Sequence, residues 1–205
     1  MLFTRSRRRH AVAALAVMVS FGVTACGGSD TSAPTDSAYA ALRVDGLEVE
    51  SYGSLREMAG GADLVVIGKF TSFDISRTIH GDAAQDVVVY GKATLVVTRK
   101  VVDEPVATEL PVEFLLPYGP EEAATKAAEF AADLPKEEIL VFLRNKGGAE
   151  AGLYRLVNSQ GLWTSTARAT LDTPLAEEAP GSGPYKGELA GIGSIDELAD
   201  QLSTG

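Results

Sequence analysis

The chain has 205 residues, of which 45% are hydrophobic and 22% are charged. That length suffices for one domain with a real core, and the ordinary globular composition excludes wholesale disorder. Four of the 18 basic residues lie within the first ten positions, and no acidic residue precedes Asp30. The rest of the chain contains 14 basic and 28 acidic residues, which give it a net charge of about −14. Such a surface repels phosphate backbones, so nucleic-acid binding is not expected.

Residues 1–25 have the organisation of a signal peptide. A cationic segment containing Arg5, Arg7, Arg8 and Arg9 is followed by an apolar stretch over residues 11–23. The order of a basic, an apolar and a small-residue region is typical of secretory signals. An uncleaved transmembrane helix is the alternative, but the stretch falls short of the roughly 20 residues needed to span hydrocarbon.

The run Val23-Thr24-Ala25-Cys26 resembles the lipobox of bacterial lipoproteins, in which a branched apolar residue and two small residues precede a cysteine. The resemblance implies that diacylglycerol is attached to the Cys26 sulfur and that the chain is cleaved between Ala25 and Cys26. Two acyl chains hold a protein stably on a membrane, whereas one holds it only marginally. A chance cysteine after an ordinary signal is the alternative. Cys26 is the only cysteine of the chain, so no intramolecular disulfide is possible.

Residues 26–41 are predicted to be a lipidated flexible linker. Residues 27–38 are small and polar, with one proline and no large apolar side chain. Such a segment behaves as a flexible coil with a mean reach of roughly 20 Å. The remainder, residues 42–205, is predicted to be one β-rich globular domain.

Within that domain, alternating apolar residues and β-branched enrichment predict a series of short strands. They cover residues 42–52, 63–73, 86–102, 109–116, 138–144, 152–158, 162–166 and 169–172. Gly68 and Gly91 lie inside two of these strands, which indicates a bulge or a bend at each. Residues 158–161 predict a hairpin turn in which Gly161 takes a positive φ.

Three short helices are predicted between the strands. Ser54 and Glu57, and likewise Ser194 and Glu197, have the spacing of a capping box, in which both side chains bond the first free backbone N–H groups. Pro120 begins an alanine-rich helix with acidic residues in its first turn. We expect this helix to lie across an open end of the sheet. Its buried face is predicted to consist of Ala123, Ala127, Phe130, Ala131 and Leu134.

The order of these elements predicts a mainly β protein with a few short helices, closed as a small OB-like barrel or a sandwich that hides its strand edges. Residues 62–70 (ADLVVIGKF), 97–102 (VTRKVV) and 135–145 (PKEEILVFLRN) resemble the order of strands in netrin-like domains, which include the tissue inhibitors of metalloproteases. The resemblance implies the fold alone. Those inhibitors reach a metal through an N-terminal cysteine and disulfides, and this chain has neither arrangement.

The part that follows Cys26 contains one histidine, His80, in a stretch that reads as a loop. A lone histidine without other strong ligands does not make a zinc site. Asp82 and Asp86 lie nearby, but the order of a calcium loop is absent. We therefore predict no metal and no cofactor.

Other motifs point away from catalysis. Gly91 and Lys92 suggest a phosphate loop, but the first glycine of that motif is replaced by Asp86. No nucleophile elbow surrounds any serine, although residues 181–183 (Gly-Ser-Gly) are locally flexible. Adjacent carboxylates do not converge on one substrate atom, so the acidic pairs at 121–122, 137–138 and 177–178 are expected to be solvated surface.

Trp163, Tyr154, Phe142 and Phe114 occupy alternating positions that favour a core, with a ligand groove as the alternative. Should Trp163 point outward with Tyr118 and Tyr185 near it, the exposed aromatic patch would be a candidate partner site.

Together these observations predict a non-catalytic binding lipoprotein of the cell envelope. It is expected on the extracytoplasmic face of the cell membrane, held by the lipid on Cys26. The expected partner is an envelope protein, a peptide or a small ligand. Two alternatives stay open: a carrier of a small apolar ligand, and a hydrolytic enzyme whose site is built from scattered side chains.

Overall fold

The computed structural model describes residues 39–44, 50–83, 86–101, 107–176 and 184–204. Their strands are β1 (Leu64–His80), β2 (Val87–Lys100), β3 (Glu109–Leu116), β4 (Ile139–Asn145), β5 (Tyr154–Leu156), β6 (Leu162–Ser165) and β7 (Leu171–Asp172). Their α-helices are α1 (Leu55–Gly61), α2 (Pro120–Ala132) and α3 (Ile195–Ser203). Three single turns of 3₁₀ helix cover Tyr39–Leu42, Gly148–Glu150 and Ser159–Gly161.

The strands form one mixed sheet in the order β1-β2-β3-β5-β4-β6-β7, and β1 also pairs with β4. This additional pairing closes the first five into a ring, with β3 and β5 parallel and the other neighbours antiparallel. Helix α2 lies between β3 and β4 in sequence, as in the predicted OB-like order. The prediction of a mainly β protein with a few short helices, built as a small barrel or sandwich, is confirmed.

Glycines allow the two longest strands to bend around the barrel. The register of β1 against β2 shifts at three places, one of them between Ile67 and Gly68. A Cβ atom at Gly68 would overlap the backbone carbonyl oxygen of Val96, and one at Gly91 would overlap the ring of Phe73. Only glycine permits this close approach of backbone to neighbouring atoms. The predicted irregularity at Gly68 is confirmed, and Gly91 lies next to a second register shift.

Phenylalanine rings fill the interior of the barrel. Phe70 and Phe114 meet edge to face with centroids 5.8 Å apart, and Phe73 and Phe130 do so at 4.9 Å. Phe130 comes from α2, which buries Ala123, Ala127 and Phe130 as predicted, whereas Ala131 is exposed and Leu134 is half-buried. Tyr39, counted with the linker in the sequence-based prediction, is fully buried and contacts Phe130 at 6.0 Å.

A second core lies outside the barrel, where α1 and α3 cover β1, β4 and β6. Its members are buried side chains of these elements: Leu55, Met58, Val65, Ile67, Leu140, Phe142, Trp163, Ile195, Leu198 and Ala199. Both helices begin with the predicted capping box. The hydroxyl oxygens of Ser54 and Ser194 accept from the backbone N–H groups of Glu57 and Glu197 at 3.0 and 3.2 Å. Strand β4 is thus buried on both faces, which explains its uninterrupted apolar run.

Of the predicted strand 42–52, residues 45–49 lie outside the described part of the chain, and residues 42–44 and 50–52 belong to no strand. Two other predictions of secondary structure are wrong. His80 is not in a loop, because it ends β1 and pairs with Val87 of β2. The segment 158–161 is not a hairpin turn, since β5 and β6 both pair with β4 and Gly161 has no positive φ.

Among the residues that the structure describes, no helix is both long enough and apolar enough to cross a membrane.

Candidate binding site

The residues that carry the lipoprotein prediction, Ala25 and Cys26, lie outside the described part of the chain, as do residues 177–178 and 181–183. His80, Asp82 and Asp86 are exposed at the tip of the β1–β2 hairpin. In the described ranges no three histidine, cysteine or acidic side chains come together in a way that could hold a metal ion.

The aromatic residues separate into the two cores. Trp163 is fully buried and lies beside Tyr185 with centroids 6.1 Å apart, both in the outer core with Phe142. Phe114 belongs to the barrel core, and Tyr154 packs against it. The expectation that Trp163 is a core residue is confirmed. The exposed patch around Trp163 and Tyr185 does not exist, because Tyr185 is buried and its hydroxyl donates to Gln160 at 2.9 Å.

A cavity on the described surface lies where β3 and β5 separate. These parallel strands pair over only two positions, Val112 with Tyr154 and Glu113 with Arg155. Beyond that point they diverge and leave a groove of about 570 Å³ on the side of the barrel. Its wall on one side is formed by Phe114 and Leu115 and on the other by residues 156–159. Leu42, Val44 and Leu175 close the groove from the third side.

Apolar side chains continue from the groove onto the outer face of the barrel. Leu115 and Val44 line the groove, and each is 38% exposed. Leu115 pairs with Tyr90 of β2, and Val88, two residues before Tyr90 and on the same face, pairs with Ile79 of β1. Val88 and Ile79 are also exposed. Exposed apolar side chains grouped in this way mark interaction surfaces more often than isolated ones do.

One polar atom in the groove wall lacks a hydrogen-bond partner. Asn158 is 8% exposed, and its Nδ2 donates to the backbone carbonyl of Glu50 at 3.2 Å. No described residue donates to its Oδ1. An unsatisfied buried amide oxygen costs free energy in the folded protein.

An ion cluster around Glu50 forms one end of the groove. The carboxylate accepts from Arg144 at 2.7 Å, from Arg155 at 2.8 Å and from the Tyr52 hydroxyl at 2.7 Å. The hydrogen bond from Arg155, supported by that from Tyr52 and by both positive charges, lowers the pKa of Glu50 despite partial burial. Burial, together with the Glu50 carboxylate, raises the pKa of Tyr52. Glu50 therefore stays ionised in the folded protein below the pH at which ordinary carboxylates protonate.

A second ion cluster is centred on Glu113, whose side chain is only 2% exposed. The carboxylate accepts from Arg77 at 2.9 Å, from Ser76 at 3.1 Å and from Lys146. Ser76 is the residue at which β1 bulges between Ile75 and Arg77. This cluster ties β1, β3 and the end of β4 together across the outer face of the barrel.

Glu150 completes the second cluster by contacting both of its cations, and the hydrogen bond from Lys146 is the main cause that lowers the pKa of Glu150. Arg77 and Lys146 also lie over the ring of Tyr90, 4.8 and 5.3 Å from its centroid. Tyr90 lines the groove and so connects this cluster to it.

The two clusters make the groove region less acidic than the chain as a whole. They bring together four cations and three carboxylates: Arg77, Arg144, Lys146 and Arg155, with Glu50, Glu113 and Glu150. The local balance is positive by one charge, whereas the whole chain carries −10.

Sequence reasoning missed both clusters. Glu113 lies in the apolar run of β3 on its outward-facing side, where an acidic residue reads as solvated. Its cationic partners are 36 and 33 positions away, and no local pattern connects them. The one available signal is that an acidic residue between Val112 and Phe114 requires a partner if the strand is covered.

Fold and site together define a small β-barrel protein with a lateral groove, apolar walls and a charged end. Comparisons with protein-family models, with curated proteins and with solved structures gave no match to this chain.

Proposed function

We propose that this chain is a lipoprotein of the cell envelope, held on the extracytoplasmic face of the membrane by lipid on Cys26, and that its barrel is a non-catalytic binding module. The groove between β3 and β5 is the binding site in this proposal. The anchor is supported by the order of residues 23–26 after a basic and an apolar segment.

The observation that carries the binding role is the groove itself. Its volume of about 570 Å³ lies within the range of roughly 300 to 1,000 Å³ that is usual for ligand pockets. Like such pockets, it combines apolar walls with a few polar groups, here Glu50, Arg155 and Asn158. Exposed Leu115 and Val44 at its rim give a partner apolar area to bury.

A carrier of a small apolar ligand is the second candidate, favoured by the apolar share of the groove wall. The barrel interior is occupied by phenylalanine rings, so such a ligand would have to lie in the lateral groove. Mass spectrometry of an organic extract of the purified protein separates the two roles. A stoichiometric lipid would support the carrier, and its absence would support the module that binds a partner.

The anchor is tested by replacing the lipidated cysteine. Cys26→Ser is expected to release the protein into the medium or to leave the precursor uncleaved. Normal processing together with normal membrane retention would overturn the anchor.

The binding role is tested in intact cells with a photo-reactive amino acid placed at Leu115 and, as a matched control, at Ile75. Both positions are similarly exposed, but Ile75 does not line the groove. We expect a discrete cross-linked species from position 115 that is absent from position 75. The same products from both positions, or none from position 115, would contradict a partner at the groove.

A further inference from the structure

The groove is bordered by the end of β3, residues 114–116, which among the described strands has a partner on only one edge. β3 pairs with β2 along its whole length, up to Leu116 with Val89. On its other edge, pairing with β5 stops at Glu113, and no described strand lies beside residues 114–116. In an extended strand the backbone N–H and C=O groups point alternately to its two sides, so residues 114–116 present backbone groups to the groove.

An open strand edge is a template for another strand. An acyl chain placed there would bury the backbone polar groups without bonding them, which is unfavourable. An extended polypeptide bonds those groups and places every second side chain against the groove wall.

The charges at the groove favour a peptide that carries an acidic residue. Both carboxylates that line the groove, Glu50 and Glu113, are paired with cations of the two clusters, and the side chain of Arg155 is 39% exposed at the end of the groove. An acidic residue in the partner can approach Arg155 without meeting an unpaired carboxylate, because Glu50 is already bonded by two arginines and a tyrosine.

We propose that the groove binds an extended peptide segment, which adds as a strand to the open edge of β3, buries apolar side chains at alternate positions and sets an acidic residue against Arg155. This inference rests on the proposed binding role and specifies that the partner is an extended peptide. It is separable from that role, because a partner that binds the groove as a helix or as a folded surface would satisfy the binding role and fail here.

The first test selects peptides with the full chain, purified from membranes in detergent. A displayed library of random twelve-residue peptides is selected on the wild type and then on Leu115→Arg, with Ile75→Arg as the matched control. We expect enriched peptides that alternate apolar and polar residues and contain Asp or Glu. They should bind the wild type and Ile75→Arg alike and Leu115→Arg at least about tenfold more weakly, since a buried charge faces the apolar wall.

If Leu115→Arg fails to fold, Val44→Arg serves in its place at the other side of the groove. Failure to enrich peptides over the groove variant, or equal binding by all three proteins, would overturn the proposal.

The second test asks whether the bound peptide pairs as a strand. Methylation of two backbone nitrogens on one edge of an enriched peptide removes two hydrogen bonds and is expected to weaken binding roughly tenfold or more. Methylation on the opposite edge is expected to leave binding unchanged. If methylation weakens binding on neither edge, the peptide does not pair with β3.

Hydrogen exchange then locates the pairing. The outward-directed amides among residues 114–116 are expected to exchange rapidly in the protein alone and slowly with the peptide. Slow exchange without peptide would show that the edge is already paired within the chain, and this result would also overturn the proposal.

Discussion

Replacing Glu113 by Gln removes the charge at the centre of a buried ion cluster while leaving a side chain of the same shape. Glu113 is 2% exposed, so its two cations lose their only buried partner. Removing one member of a buried pair costs about 3 to 5 kcal/mol in unfolding free energy. Here Arg77 and Lys146 keep contact with Glu150 and are partly solvated, so we expect a smaller loss of about 2 to 3 kcal/mol.

Glu129→Gln is the matched control for this experiment. The Lys126–Glu129 pair has the same N–O distance as the Arg77–Glu113 pair, 2.9 Å, but lies exposed on α2. Exposed pairs contribute little because water screens them. Glu113→Gln is therefore expected to lower the midpoint of urea unfolding by about 1 M, at a slope near 2 kcal/mol per molar urea, and Glu129→Gln to leave it unchanged.

The measurement is equilibrium unfolding in urea at neutral pH, followed by the fluorescence of Trp163. Equal midpoints for the two variants would refute the reasoning, because burial is the main difference between the pairs. A change in slope without a change in midpoint would refute it as well, since the variant would then have altered the denatured state.

Three further predictions concern a strand glycine, the Glu50 carboxylate and the buried tryptophan. Gly68→Ala places a methyl group against a backbone carbonyl of β2 and should lower the free energy of unfolding by about 1 to 3 kcal/mol. Gly60→Ala has open space around it in α1 and should raise the free energy of unfolding by roughly 0.5 kcal/mol. Thermal unfolding measures both changes. The pKa of Glu50 is lowered, mainly by the hydrogen bond from Arg155, so its stabilisation is present at neutral pH and is lost on acidification through the lowered pKa. The stability difference between wild type and Glu50→Gln should therefore shrink between about pH 5 and pH 2, and a constant difference would contradict this. Trp163 is fully buried, so its emission should lie at short wavelength and resist iodide quenching until the protein unfolds; strong quenching in the native state would place it at the surface.

The sequence predicted those elements that depend on residues close to one another in the chain. Ser54 and Ser194 begin helices because their hydroxyls satisfy nearby N–H groups, and residues 109–116 form a strand with the predicted bounds. The irregularity at Gly68 was also predictable, because a glycine inside a β-branched run often marks a bulge or a close approach of two backbones.

The pairing of distant segments could not be predicted in the same way. Residues 158–161 have the composition of a turn, but β5 and β6 each pair with β4, and this choice depends on where β4 lies. Tyr185 follows a segment rich in glycine and proline, which is typical of an exposed loop, yet it is buried against Trp163. The groove depends on the two-residue pairing of β3 with β5, which has no signature in either strand.

The seam between β1 and β4 has a consequence for the order of events in folding. At this seam the backbone N–H of Asn145 donates to the Asp63 carboxylate, a contact that joins positions 82 apart in sequence. The β1–β2 hairpin needs no distant segment and can form early, but the barrel closes only after β4 has arrived. Until then the other edge of β1 is open, with the apolar residues Val65 and Ile67 uncovered. We therefore expect this open apolar edge to favour aggregation while β4 is absent, and we expect a delay of β4 to increase aggregation more than a weakened hairpin does.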